Sequence, residues 1–187
     1  LNSTMFYFPN TRKPDFSKIK TIDYNEYWKE RGFALNKKLK EREEIILDFI
    51  PTGSQVLDIG CGNSLLPLRL KDKGCLITVA DISEIVLSGY KVHGIETLKL
   101  NLSEVGGFQF KEIYNYIILS EVLELTANPE EILLTLKSHT RNFALTIPNS
   151  AFYRYRIHLL FCGRFFTQWV YHPSEHLRFW SHIDFLD

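Results

Sequence analysis

Val56-Leu57-Asp58-Ile59-Gly60-Cys61-Gly62-Asn63-Ser64 is the stretch on which the fold turns. A short apolar run ends in an acid and is followed by two glycines one residue apart. Leu65-Leu66-Pro67-Leu68-Arg69-Leu70 then reads as a helix. Strand, tight turn and helix start follow one another. Glycine has no Cβ and tolerates positive φ, so the turn lets a ligand approach the backbone closely. A helix start offers free N–H groups and a partial positive charge to an anionic group. A second apolar run, Cys75 to Ala80, ends in Asp81. An acid at that strand end is placed to accept hydrogen bonds from both hydroxyls of a ribose. The first half of the chain is therefore expected to hold a nucleoside bearing a carboxylate or phosphate.

The dinucleotide fingerprint G-x-G-x-x-G fits poorly, because the position of its third glycine, counted from Gly60, is Leu65. Asp58 also has no role in that fingerprint. The string Asp58-Ile59-Gly60-Cys61-Gly62 with Asp81 downstream instead resembles motif I of class I S-adenosylmethionine-dependent methyltransferases. The resemblance implies that Gly60, Cys61 and Gly62 carry the methionine end of the cofactor. It implies ribose binding by Asp81 and flanking of the adenine by Ile82 and Leu102. Asn101 matches a position that usually holds an acid contacting the adenine amino group. Ser64 stands where many members have a third glycine. Asp58 in the first strand, with Ser120 and Glu121 at the end of the fourth, completes the expected cofactor set. A plain strand–turn–helix junction remains the alternative for the glycines, and a nicotinamide reductase on a similar fold is the rival for the cofactor. For Asp81 the alternative is a cap on the helix beginning near Ser83. As a ribose ligand with no internal partner, Asp81 should affect cofactor affinity and barely affect the stability of the free protein.

The chain has 187 residues, no net charge, 45% hydrophobic and 24% charged residues. That composition suits a single globular domain, 1–187, and excludes a disordered chain. It lacks the basic face of a nucleic-acid binder. No apolar run is long enough to span a bilayer, and the first residues lack the basic start and apolar core of a secretory signal. Three widely spaced cysteines, Cys61, Cys75 and Cys162, argue against a disulfide framework. Cytoplasm is the expected compartment. The chain begins at Leu1, which points to a longer gene product.

Residues 1–20 carry Pro9 and Pro14 and read as an extended arm, part of an N-terminal arm or lid over 1–34. Tyr24, Tyr27 and Trp28 read as a short helix that packs aromatics on the domain, or alternatively as a lid over the cofactor mouth. Leu35, Leu39, Ile46, Phe49 and Ile50 recur at helical spacing, and Pro51 and Gly53 stop that helix. Ser83 to Tyr90 reads as a helix with Ser83 as its N-cap. Further strands are expected over Ile95–Leu100, Tyr116–Leu119 and Phe143–Ile147, with Gly106-Gly107 in a loop and a helix over Glu130–Ser138. Such alternation predicts an α/β fold: a doubly wound, mostly parallel sheet in three layers, Rossmann-like, with ligands outside the carboxyl ends of the strands. Asp58, Asp81, Asn101, Ser120 and Asn149 all fall at those ends.

Ile147-Pro148-Asn149, Tyr153-Arg154-Tyr155-Arg156, Gly163-Arg164-Phe165 and His176-Leu177-Arg178-Phe179-Trp180 resemble the segment after strand five in MetW-type methionine-biosynthesis proteins. Related methyltransferases of bacterial surface-polysaccharide clusters share it. Glu121-Val122-Leu123-Glu124 with Asn128-Pro129 resembles the V-L-E-H…D-P string of that group, with Leu125 in place of the histidine. In this group residues 150–187 form a substrate-side cap. Arg154, Arg156, Arg164 and Arg178 suit an anionic substrate, or exposed surface charge for Arg154 and Arg156. His176 is the general-base candidate, because a histidine titrates near neutral pH; a structural histidine is its alternative. His172, His176 and His182 lack accompanying metal ligands, so no metal is expected. The family sheet closes with a helix and an antiparallel hairpin, and the chain stops where that helix should begin, as a C-terminally truncated domain would.

The resemblance implies methyl transfer from S-adenosylmethionine, leaving S-adenosylhomocysteine, to a small-molecule or glycan acceptor. It also admits a regulatory or complex-forming protein of methionine biosynthesis with weak or no catalysis. The partners in view are a second copy of the chain or an acyltransferase.

Overall fold

Side chains on a strand alternate between faces, and β1 (Gln55–Ile59) packs one set on each side of a sheet. Val56 joins the core cluster of Ile46, Leu66, Leu70 and Tyr90. Leu57 and Ile59 join the opposite cluster with Ile117, Leu123 and Leu136. A strand buried on both faces needs helices on both, which gives three layers. The computed structural model describes residues 22–102, 104, 110, 112–163 and 177–186.

The remaining strands are β2 (Leu76–Asp81), β3 (Glu96–Lys99), β4 (Tyr114–Ser120) and β5 (Thr140–Thr146). All five pair in parallel, in the order β3-β2-β1-β4-β5. The order reverses at β1, so β1 and β4 flank the switch point where open α/β sheets bind ligands. The helices are α1 (Tyr24–Arg31), α2 (Glu41–Phe49), α3 (Leu66–Asp72), α4 (Glu84–Lys91), α5 (Pro129–Lys137), α6 (Tyr153–Cys162) and α7 (His182–Leu186). The doubly wound parallel sheet is thus present as the sequence implies, and the three cysteines are free.

Two expectations need correction. The helix of Leu35 to Ile50 is shorter, and α2 begins only at Glu41. The Glu43 carboxylate accepts the Lys40 N–H at 2.8 Å, which closes the helix start there. Upstream, Asn36 donates its backbone N–H to the Asn63 carbonyl at 2.9 Å, and the Asn63 side chain donates to Ala34 O at 3.2 Å. Residues 34–36 are committed to the glycine turn, which a helix would forbid. Leu35 and Leu39 still pack on the core, from irregular chain.

Ser83, the expected cap of α4, makes no side-chain cap. Its hydroxyl donates to Asn25 Oδ1 at 2.9 Å, and the same oxygen accepts the Glu84 N–H at 2.9 Å. The cap of α4 therefore comes from α1, in trans. The arm over residues 1–20 and the loop at Gly106-Gly107 lie outside the described residues.

Candidate functional site

The turn after β1 is left-handed at both glycines, with φ of 71° at Gly60 and 50° at Gly62. Few side chains adopt that conformation. A Cβ on Gly60 would also lie 2.6 Å from Val122 Cγ2, so the segment after β4 presses directly on the turn. Gly60 N donates to Ala80 O at 2.7 Å, which ties the turn to β2.

Asp81, at the end of β2, faces that turn. Its Oδ2 accepts the Gly62 N–H at 3.2 Å, and its Oδ1 accepts the Ser83 N–H at 2.9 Å. Burial raises its carboxyl above the usual range, and the backbone N–H groups of Ser83, Gly62 and Ile82 oppose that shift. Its expected freedom from internal partners is corrected: Asp81 is 8% exposed and doubly bonded. The ribose and helix-start readings are compatible, because a carboxylate offers about four lone-pair sites and two are occupied here.

A cavity of about 820 Å³ opens above the carboxyl ends of the strands. Gly60, Gly62, Asp81, Ile82, Asn101, Leu102 and Glu121 of the expected cofactor set line it. Asp58, Cys61 and Ser120 are not among its lining residues. Asp58 is 3% exposed and lies on the Val56 face of β1, beneath the turn. Burial first, then the nearby Glu43 and Asp81 carboxylates, push its carboxyl up to about 8. Cys61 is buried in the same helix-facing core, where burial raises its thiol further. Ser120 shares a 2.8 Å hydrogen bond with the Thr146 hydroxyl and so joins the ends of β4 and β5.

Ser64, the departure from the family glycine, has a defined task. Its hydroxyl donates to Glu43 Oε1 at 3.0 Å and accepts the Leu66 N–H at 3.0 Å. It caps the start of α3 and links it to α2.

Several lining residues escaped the sequence reading. Lys40 and Arg42 bring cations to the cavity, and Arg42 pairs with Glu121 at 2.5 Å. Glu121 holds φ of 56°, the one described non-glycine residue with positive φ. Strained backbone of this kind clusters at functional sites. Glu124 also lines the cavity and is 1% exposed. Neither of its carboxylate oxygens, nor Arg42 Nε, has a hydrogen-bond partner among the described residues. The Arg–Glu spacing between α2 and the β4 end gives no local sequence signal. The only hint for Glu124 was its place in the V-L-E string.

Tyr24, Tyr27 and Trp28 of α1 line the cavity, and the Trp28 ring also packs on the core. The helix thus packs on the core and also borders the cavity. From the C-terminal segment Asn149, Phe152 and Tyr155 line it, as does Leu125 at the family histidine position. Arg154 and Arg156 are exposed, as the surface reading has it. Arg178 donates to Ala127 O at 2.7 Å instead of entering the cavity. His182 begins α7, and Arg164, His172 and His176 lie outside the described residues.

A model of the family described as methionine biosynthesis protein MetW matches residues 40–186. The chain is 28% identical over 131 residues to the bifunctional methionine biosynthesis protein MetXA/MetW of Rhodopirellula baltica, covering 65% of this chain and 21% of that protein. It is 24% identical over 146 residues to the ubiquinone biosynthesis O-methyltransferase of Rickettsia akari, covering 72% and 58%. The chain thus spans less than two thirds of these relatives' length. The crystal structure of magnesium protoporphyrin IX methyltransferase (ChlM) from Synechocystis PCC 6803 with bound SAH aligns with a TM-score of 0.61 and 14% identity, over 87% of this chain and 84% of that one. At that identity the likeness speaks for the fold. Among the described residues no helix is long and apolar enough to cross a membrane.

Proposed function

Because the chain belongs to the family of the methionine biosynthesis protein MetW, we propose that it binds S-adenosylmethionine in this cavity and transfers the methyl group to a small-molecule or glycan acceptor. The observation that carries this reading is Asp81 hydrogen-bonded to the left-handed Gly60–Gly62 turn at the mouth of the cavity. The residues present fit the cofactor. The glycine turn leaves a cradle that side chains would fill, and about 820 Å³ lies within the ordinary range for small-molecule sites.

When bound, the cofactor supplies an electrophilic methyl on a sulfonium. The chain's own groups bind, orient and exclude water. Asp81 accepts the ribose hydroxyls with its remaining lone pairs. Ile82 and Leu102 enclose the adenine, with Asn101 at its edge. Gly60 and Gly62 let the methionine end lie against the backbone, and Lys40 and Arg42 face its carboxylate as guanidinium and ammonium groups do. Tyr24, Tyr27 and Trp28 shield one side. Phe152 and Tyr155, from the 150–187 segment, shield the acceptor side, so near-attack geometry is held away from water. For removal of the acceptor's proton His176 stays a proposal.

Calorimetry with S-adenosylmethionine, S-adenosylhomocysteine and NAD tests the cofactor. Saturable binding of the first two and none of NAD is expected. Binding of NAD alone would sink the reading.

The bifunctional relative, which carries MetXA and MetW in one chain, favours a second reading: a regulatory or complex-forming protein with little catalysis. Co-purification with an acyltransferase and no methyl incorporation into small-molecule pools would favour it. Turnover on an isolated acceptor would count against it.

A further inference from the structure

We propose that Glu124 is the counter-charge for a cationic centre of the bound cofactor. This rests on the reading of the cavity as an S-adenosylmethionine site. The geometry is that of a buried carboxylate with no hydrogen-bond partner among the described residues. Glu124 is 1% exposed, lines the cavity, and has no partner on either oxygen among the described residues. A buried, unpaired carboxylate is costly, so it takes up a proton or meets a partner from outside the fold.

The residue's position is fixed rather than incidental. Its backbone carbonyl accepts the Leu177 N–H at 2.7 Å and the Arg178 N–H at 3.3 Å. Val122, two residues earlier, touches the glycine turn that would carry the methionine end. Glu124 therefore stands beside the part of the ligand that bears positive charge.

None of the other charged groups around the cavity bonds the Glu124 carboxylate among the described residues. Arg42, from α2, pairs with Glu121 at 2.5 Å. The Arg178 guanidinium donates to Ala127 O. Lys40 lines the cavity and donates its backbone N–H to Glu43. Glu121, on the same segment, repels a second negative charge. Burial first, then Glu121, push the Glu124 carboxyl up to about 7, with its own backbone N–H and then Arg42 opposing. At neutral pH the free protein holds Glu124 partly protonated, and an arriving cation draws it into the ionised form.

S-adenosylmethionine offers two cations, its sulfonium and its α-ammonium; S-adenosylhomocysteine keeps only the ammonium. Calorimetry on wild type, Glu124→Gln and Glu124→Met with both ligands, at pH 6 and pH 8, separates them. Glu124→Gln is expected to lose about tenfold or more in affinity for S-adenosylmethionine at pH 8. The wild type should bind it more tightly at pH 8 than at pH 6, and the variant should lose that difference. If the sulfonium is the partner, affinity for S-adenosylhomocysteine is unchanged by the substitution. If the ammonium is the partner, both ligands weaken in parallel. Unchanged affinity for both ligands in a folded variant overturns the proposal, while wild type binding neither ligand overturns the cofactor reading beneath it. Glu124→Met has similar volume and gives the same readout should the amide not be tolerated. Unliganded melts at pH 8 should be unchanged or higher, because an unpaired buried charge has gone.

Discussion

Asp81 accepts the backbone N–H of Gly62 across 19 positions of chain, at 3.2 Å. One carboxylate thus fixes the glycine turn on one side and, through Ser83, the approach to α4 on the other. On the proposed reading, fold stability and cofactor affinity meet in a single side chain. Asp81→Ala should therefore lower both. The unliganded melting temperature is expected to fall by several degrees, for a loss of about 1–3 kcal/mol. Affinity for S-adenosylmethionine is expected to fall about tenfold to a thousandfold. Melts with and without ligand check it; an unchanged unliganded melt would contradict the hydrogen bonds seen here.

Gly60→Ala meets two obstacles, φ of 71° and Val122 Cγ2 at 2.6 Å. A destabilisation of about 1–3 kcal/mol is expected from the backbone alone. Val122→Ala on that background removes the steric part only. Partial recovery in a double-mutant cycle by denaturant unfolding is the expected result, and full recovery would show that the backbone conformation carries no cost.

Ser64→Gly restores the residue common at this position in the family. It should nevertheless destabilise, by about 1 kcal/mol, because the Leu66 N–H loses its cap and Glu43 loses a donor. Chemical denaturation of the variant at neutral pH measures this, and a gain in stability would refute the assignment of Ser64 as a helix cap.

Asp58 predicts the sign of a pH dependence. Its folded carboxyl is pushed up to about 8 from 3.8. A raised acid holds a proton that the unfolded chain releases, so its favourable contribution is complete below about pH 4 and is lost as pH rises towards 8. Glu124, pushed up to about 7, acts in the same direction. Asp58→Asn is neutral at every pH. It should flatten the fall in melting temperature between about pH 5 and 8 and melt higher than wild type at pH 8. A wild-type melt that rises over this window would contradict the burial of a protonated Asp58.

The sheet was legible because its strands are apolar runs closed by glycines, acids and asparagines, signals that lie within a few residues. Asp81 and the Gly60–Gly62 turn were legible for the same reason. What escaped notice depends on tertiary contact. Asn25 at the head of α4 and Arg42 against Glu121 join positions 59 and 79 apart in sequence. The helical spacing of Leu35 and Leu39 lost to hydrogen bonds with Asn63, because a polar turn that must be satisfied outweighs a weak local propensity. Asp58 was placed by motif at the ligand, whereas strand alternation turns it into the core. The burial of Glu124 could not be read from composition.

The cap that Asn25 supplies to α4 bears on the order of assembly. Glu84 N–H waits for an oxygen that arrives only when α1, 59 positions away in sequence, docks. α1 buries no residue fully, so little besides these bonds and its aromatic contacts holds it. The sheet and α4 can form before α1 settles, and the first turn of α4 is completed last. In hydrogen exchange the Glu84 amide would then share the opening rate of α1 rather than that of its own helix, making the aromatic wall of the cavity and the start of α4 one cooperative unit across two separate helices.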